Sequence, residues 1–517
     1  MSPFDYIVVG AGSAGCVLAN RLTEDPRSRV LLIEAGPRDT DRWIHVPLGY
    51  GKLFARTDIN WAYESEPEPA LNGRRIFTPR GKVLGGSSSI NGLVYIRGQR
   101  EDFDGWRVAG WRFDDLLPYF RKSENQSRGA DAWHGVGGPL EVGDLPDRHE
   151  LCDAFIASAM ALGIPRNEDF NGATQEGTGY YQATICKGRR SSAATGYLRR
   201  AEKRPNLKVE VNTLVRKVLF DGKRAVGVEY GSTKAMGREI ILSGGAFNSP
   251  QLLQLSGIGP RELLQSHGIP VLQDLPVGEG LQDHFYVRTF WRCNQAITLN
   301  DDMASLFRQV RIGLRYLLHK RGPLTVSAGY AAAFVRTLPQ LKRPDAQIYF
   351  VNFSTAKRGG VLHSHSGFTC SVSQLQVESR GSVRIKSADA GAPPAIRYNY
   401  LATENDRRVM VEGLKLVRRI VNTPPMRGYV VDEYMPGVSV QSDEEWLAFC
   451  REVGETVFHP TSTCSIGSVV DERLRVKGLM SLRVIDASVM PAVPSGNINA
   501  AVIAVAEKGA DLVKQGL

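Results

Sequence analysis

The apolar and polar positions of the chain are most ordered at its start. Asp5 to Val9 is a short hydrophobic run, and Gly10-Ala11-Gly12-Ser13-Ala14-Gly15 follows at once. Helical spacing then continues to Leu22, and a second apolar run, Val30 to Ile33, ends at Glu34-Ala35. This order predicts strand, turn, helix and strand, closed by an acidic residue. Further on, 42–79 is irregular and broken by proline, Leu151 to Leu162 has helical spacing, and Ser191 to Ala201 reads as a short helix. The runs 207–211, 214–220 and 225–230 alternate around Asp221-Gly222, which predicts antiparallel strands. The stretch 238–242 ends at Ser243-Gly-Gly-Ala-Phe-Asn-Ser-Pro250, a second strand that reaches a small turn, here before a helix expected over 251–255. A mixed section follows, with a helix over 302–318, strands at 347–353, 368–378 and 382–387, and an amphipathic helix over 405–422. A buried strand at 482–486 and a helical tail at 500–517 close the chain.

Each position of the first unit has a physical role in a dinucleotide site. Gly10 permits the tight turn, Gly12 lets the backbone approach a pyrophosphate, and Gly15 lets the helix pack against the sheet. The helix N-terminus offers unpaired N–H groups and partial positive charge. Glu34 would accept from a ribose hydroxyl and repel a 2′-phosphate. The motif alone does not separate FAD from NAD. The small residues of Arg80 to Gly98, with Gly85-Gly86, three serines and Asn91-Gly92, could crowd backbone against a flat polar ligand or form only a serine-rich turn. The strands of the middle section predict a separate antiparallel sheet on the substrate side, inserted into a discontinuous nucleotide domain. The expected division is 1–160, 195–284 and 455–517 for the nucleotide domain, and 161–194 with 285–454 for the other.

With 517 residues, two or more substructures are expected, and 42% hydrophobic with 23% charged residues is ordinary for a globular chain. The formal charge of +10 is spread among acidic residues without a long basic run, so nucleic acid is not expected as a partner. No apolar stretch reaches transmembrane length, and Asp5 sits too early for a signal peptide. A cytoplasmic protein is expected, with peripheral attachment to the inner membrane left open. Seven scattered cysteines form no CxxC pair, so reduced thiols are expected and no metal site.

Four stretches carry a resemblance: GAGSAG at 10–15, GKVLGGSSSINGLVYIRG at 81–98, GAFNSPQLLQLSGIGP at 245–260, and VFHPTSTC with VIDASVMPAVPSGNINA at 457–464 and 484–500. In this order, across nearly the whole chain, they resemble the glucose-methanol-choline oxidoreductases, most nearly the bacterial choline and alcohol dehydrogenase-like group with the aryl- and furfuryl-alcohol oxidases. The resemblance implies an α/β plus α+β architecture, a Rossmann-like domain carrying FAD beside a substrate domain on a mostly antiparallel sheet. It implies that Glu34 takes the ribose, that Val215 lies near the adenine, and that Ser87, Asn91, Gly92 and Val94 line the pyrophosphate and flavin. Asp486, Ala487, Ile498 and Asn499 would close around the ribityl chain and pyrimidine edge. Some members hold FAD through a histidine where this chain has Ile90; isoleucine forms no such bond, which implies noncovalent FAD.

His459 in Phe458-His-Pro-Thr-Ser-Thr463 is, from the residues alone, as readily structural as catalytic. The resemblance singles it out as the base, and imidazole suits that role because its pKa lies near neutrality. His284, His363 and His365 have no such support and are expected at the surface or behind the site. The family partner of the base is a histidine or asparagine, implied here to be Asn497, with Asn499 as the competing choice. The implied reaction is oxidation of a primary alcohol to an aldehyde by hydride transfer to flavin N5, with electrons passed to a quinone, a dye-like acceptor or another acceptor that is not oxygen. The alternative is an oxidase that uses O2 and makes H2O2, for which the small Val457 leaves room. A choline dehydrogenase is weaker, for want of a recognisable cation cage. A flavin-dependent hydroxynitrile lyase and a non-catalytic binding protein are the rivals from other classes.

Overall fold

Two seven-stranded sheets form the frame of the computed structural model, which describes residues 3–356 and 359–516. The far end of the expected tail helix, Leu517, lies outside the described residues.

The first sheet has the order 207–210, 30–33, 4–9, 233–242, 224–230, 215–221, with 482–484 also beside 233–242. Strands 4–9, 30–33, 207–210 and 482–484 run parallel to their neighbours; the Val/Ile/Leu runs of 4–9 and 30–33 are buried, while 207–210 is a half-exposed edge strand. The Asp221-Gly222 turn joins antiparallel strands, as the alternation predicts. Three parallel strands end side by side, at Val9, Leu242 and Val484, so the segments beginning at Gly10, Ser243 and Ile485 emerge on one edge of the sheet. Ligands of open α/β sheets bind at this carboxyl edge.

The second sheet has the order 430–435, 285–293, 367–374, 346–351, 331–335, 177–180, with 455–456 beside 285–293, and every pairing in it is antiparallel. The helices Glu150–Ala161 and Glu404–Val421 pack on it; their apolar stripes join its strands in one core. Gly413 admits this approach, since a Cβ there would lie 2.6 Å from Cγ1 of Val372. The structure thus puts Glu150–Ala161 and Glu455–Thr456 with the second sheet, whereas boundaries at 160 and 455 would put them with the first.

Three local expectations are corrected. The helix expected over 302–318 is two helices, Leu299–Ala304 and Leu306–His319, because Ser305 leaves helical geometry and caps the second by accepting from the Arg308 amide. The stretch 191–201 is helical as expected, but of a different kind: a π-helix, Ala194–Leu198, runs into a short α-helix, Arg199–Ala201. The helix expected from 251 begins at Gly245 and carries Pro250 inside it. Proline lacks the N–H that would bond the carbonyl of Ala246, and the Thr463 hydroxyl donates to that oxygen at 2.8 Å instead. All seven cysteines are free thiols and six are buried. Among the described residues no cluster suits a metal ion, and no helix is long and apolar enough to cross a membrane.

Candidate active site

One cavity runs from the carboxyl edge of the first sheet to the face of the second. At the first end, Gly10 has φ +98° and a Cβ there would meet the Ser243 oxygen at 2.5 Å; a Cβ on Gly15 would meet the Gly10 oxygen at 1.8 Å. Gly15 thus lets the helix Ser13–Leu22 press on the turn, behind the cavity rather than in its wall. That helix has no side-chain cap and no acidic residue in its first turn, so its N–H groups and partial charge are left to the cavity. A second helix, Asn499–Lys514, begins beside it, and the Ser13 hydroxyl donates to Asn499 Oδ1 at 2.7 Å. Two helix N-termini therefore meet where an anionic pyrophosphate would sit.

Gly10, Gly12, Ser13, Ala14, Glu34, Ala35 and Val215 line this end, with Asp486, Ala487, Ile498 and Asn499 on the C-terminal side. Ser87, Asn91, Gly92 and Val94 line the wall between the two ends. The Glu34 carboxylate accepts from the amides of Ala11 (2.8 Å) and Gly36 (2.9 Å), and burial pushes its pKa up to about 7. Asn91 Oδ1 accepts from Arg190 at 2.6 Å and from the Leu93 amide at 3.1 Å. Arg190 is buried, which lowers its pKa to about 9, and its contacts with Ile44 and Ser88 carbonyls fix the serine-rich loop from behind. Nothing in the Arg189-Arg190 pair marks that role in the sequence. Asp486 spends its carboxylate on the Gly245 and Ser488 amides and the Ser249 hydroxyl, tying the two strand ends together.

At the other end His459 is held by its backbone as well as its ring. Phe458 before it has φ +73°, a strained setting for a non-glycine residue. Three bonds hold that bend: Phe458 N to Thr456 Oγ1 at 2.7 Å, Arg80 Nη2 to the Phe458 oxygen at 2.8 Å, and His459 N to Asp283 Oδ1 at 2.6 Å. The ring stands between two partners. Its Nδ1 lies 3.0 Å from Nδ1 of His284, and its Nε2 lies 3.1 Å from Nδ2 of Asn497. Asn497 is therefore the amide beside His459, while Asn499 is engaged by Ser13. Gln347 donates to Asn497 Oδ1 at 3.3 Å and to the Tyr181 hydroxyl at 2.8 Å, which aims the Asn497 NH2 toward the imidazole. Gly496 makes the approach possible: its φ is +114° and a Cβ would meet Ile96 at 2.6 Å.

His284 is the residue that sequence reading placed too loosely. It is buried, its Nε2 lies 3.2 Å from the Leu375 oxygen, and burial lowers its pKa to about 4. His363 and His365 stack on one another and meet Tyr434 at steep angles, away from the cavity. Strand alternation brings Tyr286 and Arg288, and Tyr349 and Val351, to the cavity, facing Tyr50, Phe54, Val457 and Phe458. Arg288 pairs with Glu455 at 3.1 Å and donates to the Thr355 oxygen at 3.2 Å. Among the described residues the acids lining the cavity are Glu34 and Asp486, both at the nucleotide end. Ile90 also lines the wall and offers no nucleophile to a flavin.

Residues 4–286 and 377–506 match the N- and C-terminal parts of the GMC oxidoreductases. The chain belongs to the GMC oxidoreductase family. It is 42% identical to the alcohol dehydrogenase [acceptor] of Pseudomonas putida, covering 99% of this chain and 95% of that one. It is also 43% identical to an oxygen-dependent choline dehydrogenase of Pseudomonas putida, over 99% and 94% of the two chains. Among solved structures, pyridoxine 4-oxidase from Mesorbium loti superposes with a TM-score of 0.91 at 32% identity, covering 99% of this chain and all of that one. A fungal aryl-alcohol oxidase does so with a TM-score of 0.86 at 25% identity, over 100% and 99%. The protein is an enzyme acting on CH–OH groups, and its cofactor is FAD. The uncapped helix starts, the glycine-lined cradle and Glu34 fit that cofactor.

Proposed function

We propose that this GMC oxidoreductase oxidises a primary alcohol to the aldehyde and passes the electrons to a quinone or another acceptor that is not oxygen. The observation that carries the reading is the convergence of His459 and Asn497 at one end of a cavity whose other end suits a dinucleotide. FAD, when bound, supplies the acceptor for the hydride leaving the alcohol carbon. The helix starts at Ser13 and Asn499 would hold its pyrophosphate and Glu34 its ribose, with Val215 near the adenine. Ser87, Asn91, Gly92 and Val94 would lie along the pyrophosphate and flavin, and Asp486, Ala487 and Ile498 by the ribityl chain.

His459 takes the hydroxyl proton at Nε2, and Asn497 donates to the alcohol oxygen. His284 decides which nitrogen does the work. Its Nε2 faces a carbonyl, which only accepts, so in the neutral ring the proton sits on Nε2 and Nδ1 carries a lone pair. His459 Nδ1 is then the donor of that pair, which leaves the lone pair of His459 on Nε2, the atom toward Asn497. The base is set in the required tautomer before an alcohol arrives. Anaerobic stopped-flow tests the reading: His459→Ala retains flavin but is reduced roughly 10²-fold or more slowly. An unchanged rate removes His459 from the role.

The name of the Pseudomonas putida relative, alcohol dehydrogenase [acceptor], favours the dehydrogenase form. An oxidase is the second reading, supported by Val457 at the cavity wall, which leaves room beside the flavin site. Hydrogen peroxide formed in step with aerobic turnover would decide for it. A quaternary ammonium substrate is disfavoured by a substrate end that presents Arg288 and no acid among its described lining residues. An uncharged aromatic or aliphatic alcohol suits the ring-lined wall.

A further inference from the structure

The helix Leu306–His319 turns its larger apolar side to solvent. Leu306, Phe307, Val310, Leu314, Leu317 and Leu318 are 53% to 79% exposed. At about 100° per residue these six fall within roughly a third of the helix circumference. The inward side is held by Ile312 and Tyr316, nearly opposite. Scattered exposed leucines are ordinary, but a continuous stripe two turns or more long on one helix marks a contact surface.

The charge around the stripe says what covers it. Arg308, Arg311 and Arg315 border one side, and Lys320 and Arg321 follow at the C-terminal end. No acidic residue occurs from 303 to 344. The acids that reach this helix come from outside that stretch: Asp147 pairs with Arg315 at 2.9 Å and Asp302 with Arg308 at 3.7 Å. Apolar residues on one face with arginines beside them are the pattern of a helix lying in a bilayer interface, where the cations meet anionic headgroups. A second copy of the chain would bring the same cations against each other.

We propose that Leu306–His319 docks this protein flat on a membrane surface rich in anionic phospholipid. The helix before the docking face, Leu299–Ala304, is tied to the loop that forms part of the cavity wall. Asn300, at the start of the preceding helix, donates at 2.9 Å to the carbonyls of both Ser354 and His363, and Thr355 and Gly359 of the loop between them line the cavity. Val361, 90% exposed, rides on the same loop. Supply of an apolar alcohol and a lipid-soluble acceptor from the bilayer rests on the function proposed above; the docking does not.

The test uses the flavin-loaded protein and vesicles without substrate. We expect it to sediment with phosphatidylglycerol/phosphatidylcholine vesicles, less so at high salt, and weakly with phosphatidylcholine alone. The double variant Leu314→Glu/Leu317→Glu should lose roughly tenfold or more of that binding, while its flavin absorbance and dye-linked turnover stay those of the parent. Phe307→Trp should show blue-shifted emission on adding anionic vesicles. No sedimentation with anionic vesicles, or sedimentation unchanged in the double variant, overturns the proposal. So does a dimer by light scattering that the double variant splits and in which the introduced indole is already blue-shifted without lipid.

Discussion

Nδ1 of His284 and Nδ1 of His459 face each other at 3.0 Å, with the Leu375 carbonyl 3.2 Å from the far nitrogen of His284. The pair fixes a proton position on the His459 ring through a backbone carbonyl, while the nearby Asp283 carboxylate is spent on the His459 amide instead of the ring.

His284→Phe should therefore keep flavin and slow its reduction roughly 10- to 100-fold, because nothing accepts from His459 Nδ1 and both tautomers become populated. His284→Gln, whose oxygen can accept, should recover part of that loss. Stopped-flow reduction of the two variants, compared with their flavin content, separates the tautomer effect from misfolding.

The same residue shapes acid stability. Burial lowers its pKa to about 4 in the fold, against about 6.5 in the unfolded chain. Between those values the unfolded chain binds a proton that the folded chain refuses, so stability falls as pH falls from about 6.5 and levels off near 4. The loss from this group is on the order of 3 kcal/mol. Urea midpoints measured across that window should slope less in His284→Gln than in the parent.

Asn497 and Gln347 should behave as a chain. Asn497→Ala removes the proposed donor to the alcohol oxygen and should lower kcat roughly 10- to 100-fold. Gln347→Leu releases the Asn497 amide to rotate and takes a donor from the Tyr181 hydroxyl but leaves the Asn497 NH2 in place, so a smaller fall in kcat with little change in flavin binding is expected. Steady-state rates with a soluble dye acceptor measure both.

Glu34→Gln tests the nucleotide end. The carboxylate accepts from two amides, Ala11 and Gly36, whereas a carboxamide has one oxygen and must turn an NH2 toward one of them. An unsatisfied buried N–H costs about 1–3 kcal/mol, so FAD should be released roughly tenfold or more readily, read from the fluorescence of freed flavin.

Gly15→Ala should be severe. Its Cβ would stand 1.8 Å from the Gly10 oxygen, which forces the helix off the sheet. Overpacking of this kind costs about 1–3 kcal/mol or more. Thermal melts should show the loss with and without added FAD, since the cradle moves with the helix.

Local chemistry made the first sheet legible. Uninterrupted Val/Ile runs, a glycine turn and an acid at fixed spacing describe one unit that folds on itself. The His284–His459 contact joins positions 175 residues apart and leaves no local signature. Asn497 and Asn499 differ by two residues across a helix start, and only the folded turn at Gly496 sends one to His459 and the other to Ser13. The break at Ser305 was hidden because apolar spacing continues through it while its side chain caps the start of the second helix. Periodicity predicts a helix over 302–318 but does not say which of its two apolar stripes meets the core.

His459 and Asn497 ride on loops of the C-terminal segment, whereas much of the surrounding wall consists of alternate side chains on the second sheet. Exchanging Tyr286, Val351 or Tyr349 for rings of other size should thus retune which alcohols are accepted while proton removal stays in place. A lineage could diversify its diet by strand substitutions alone, inheriting the bend at Phe458 unchanged.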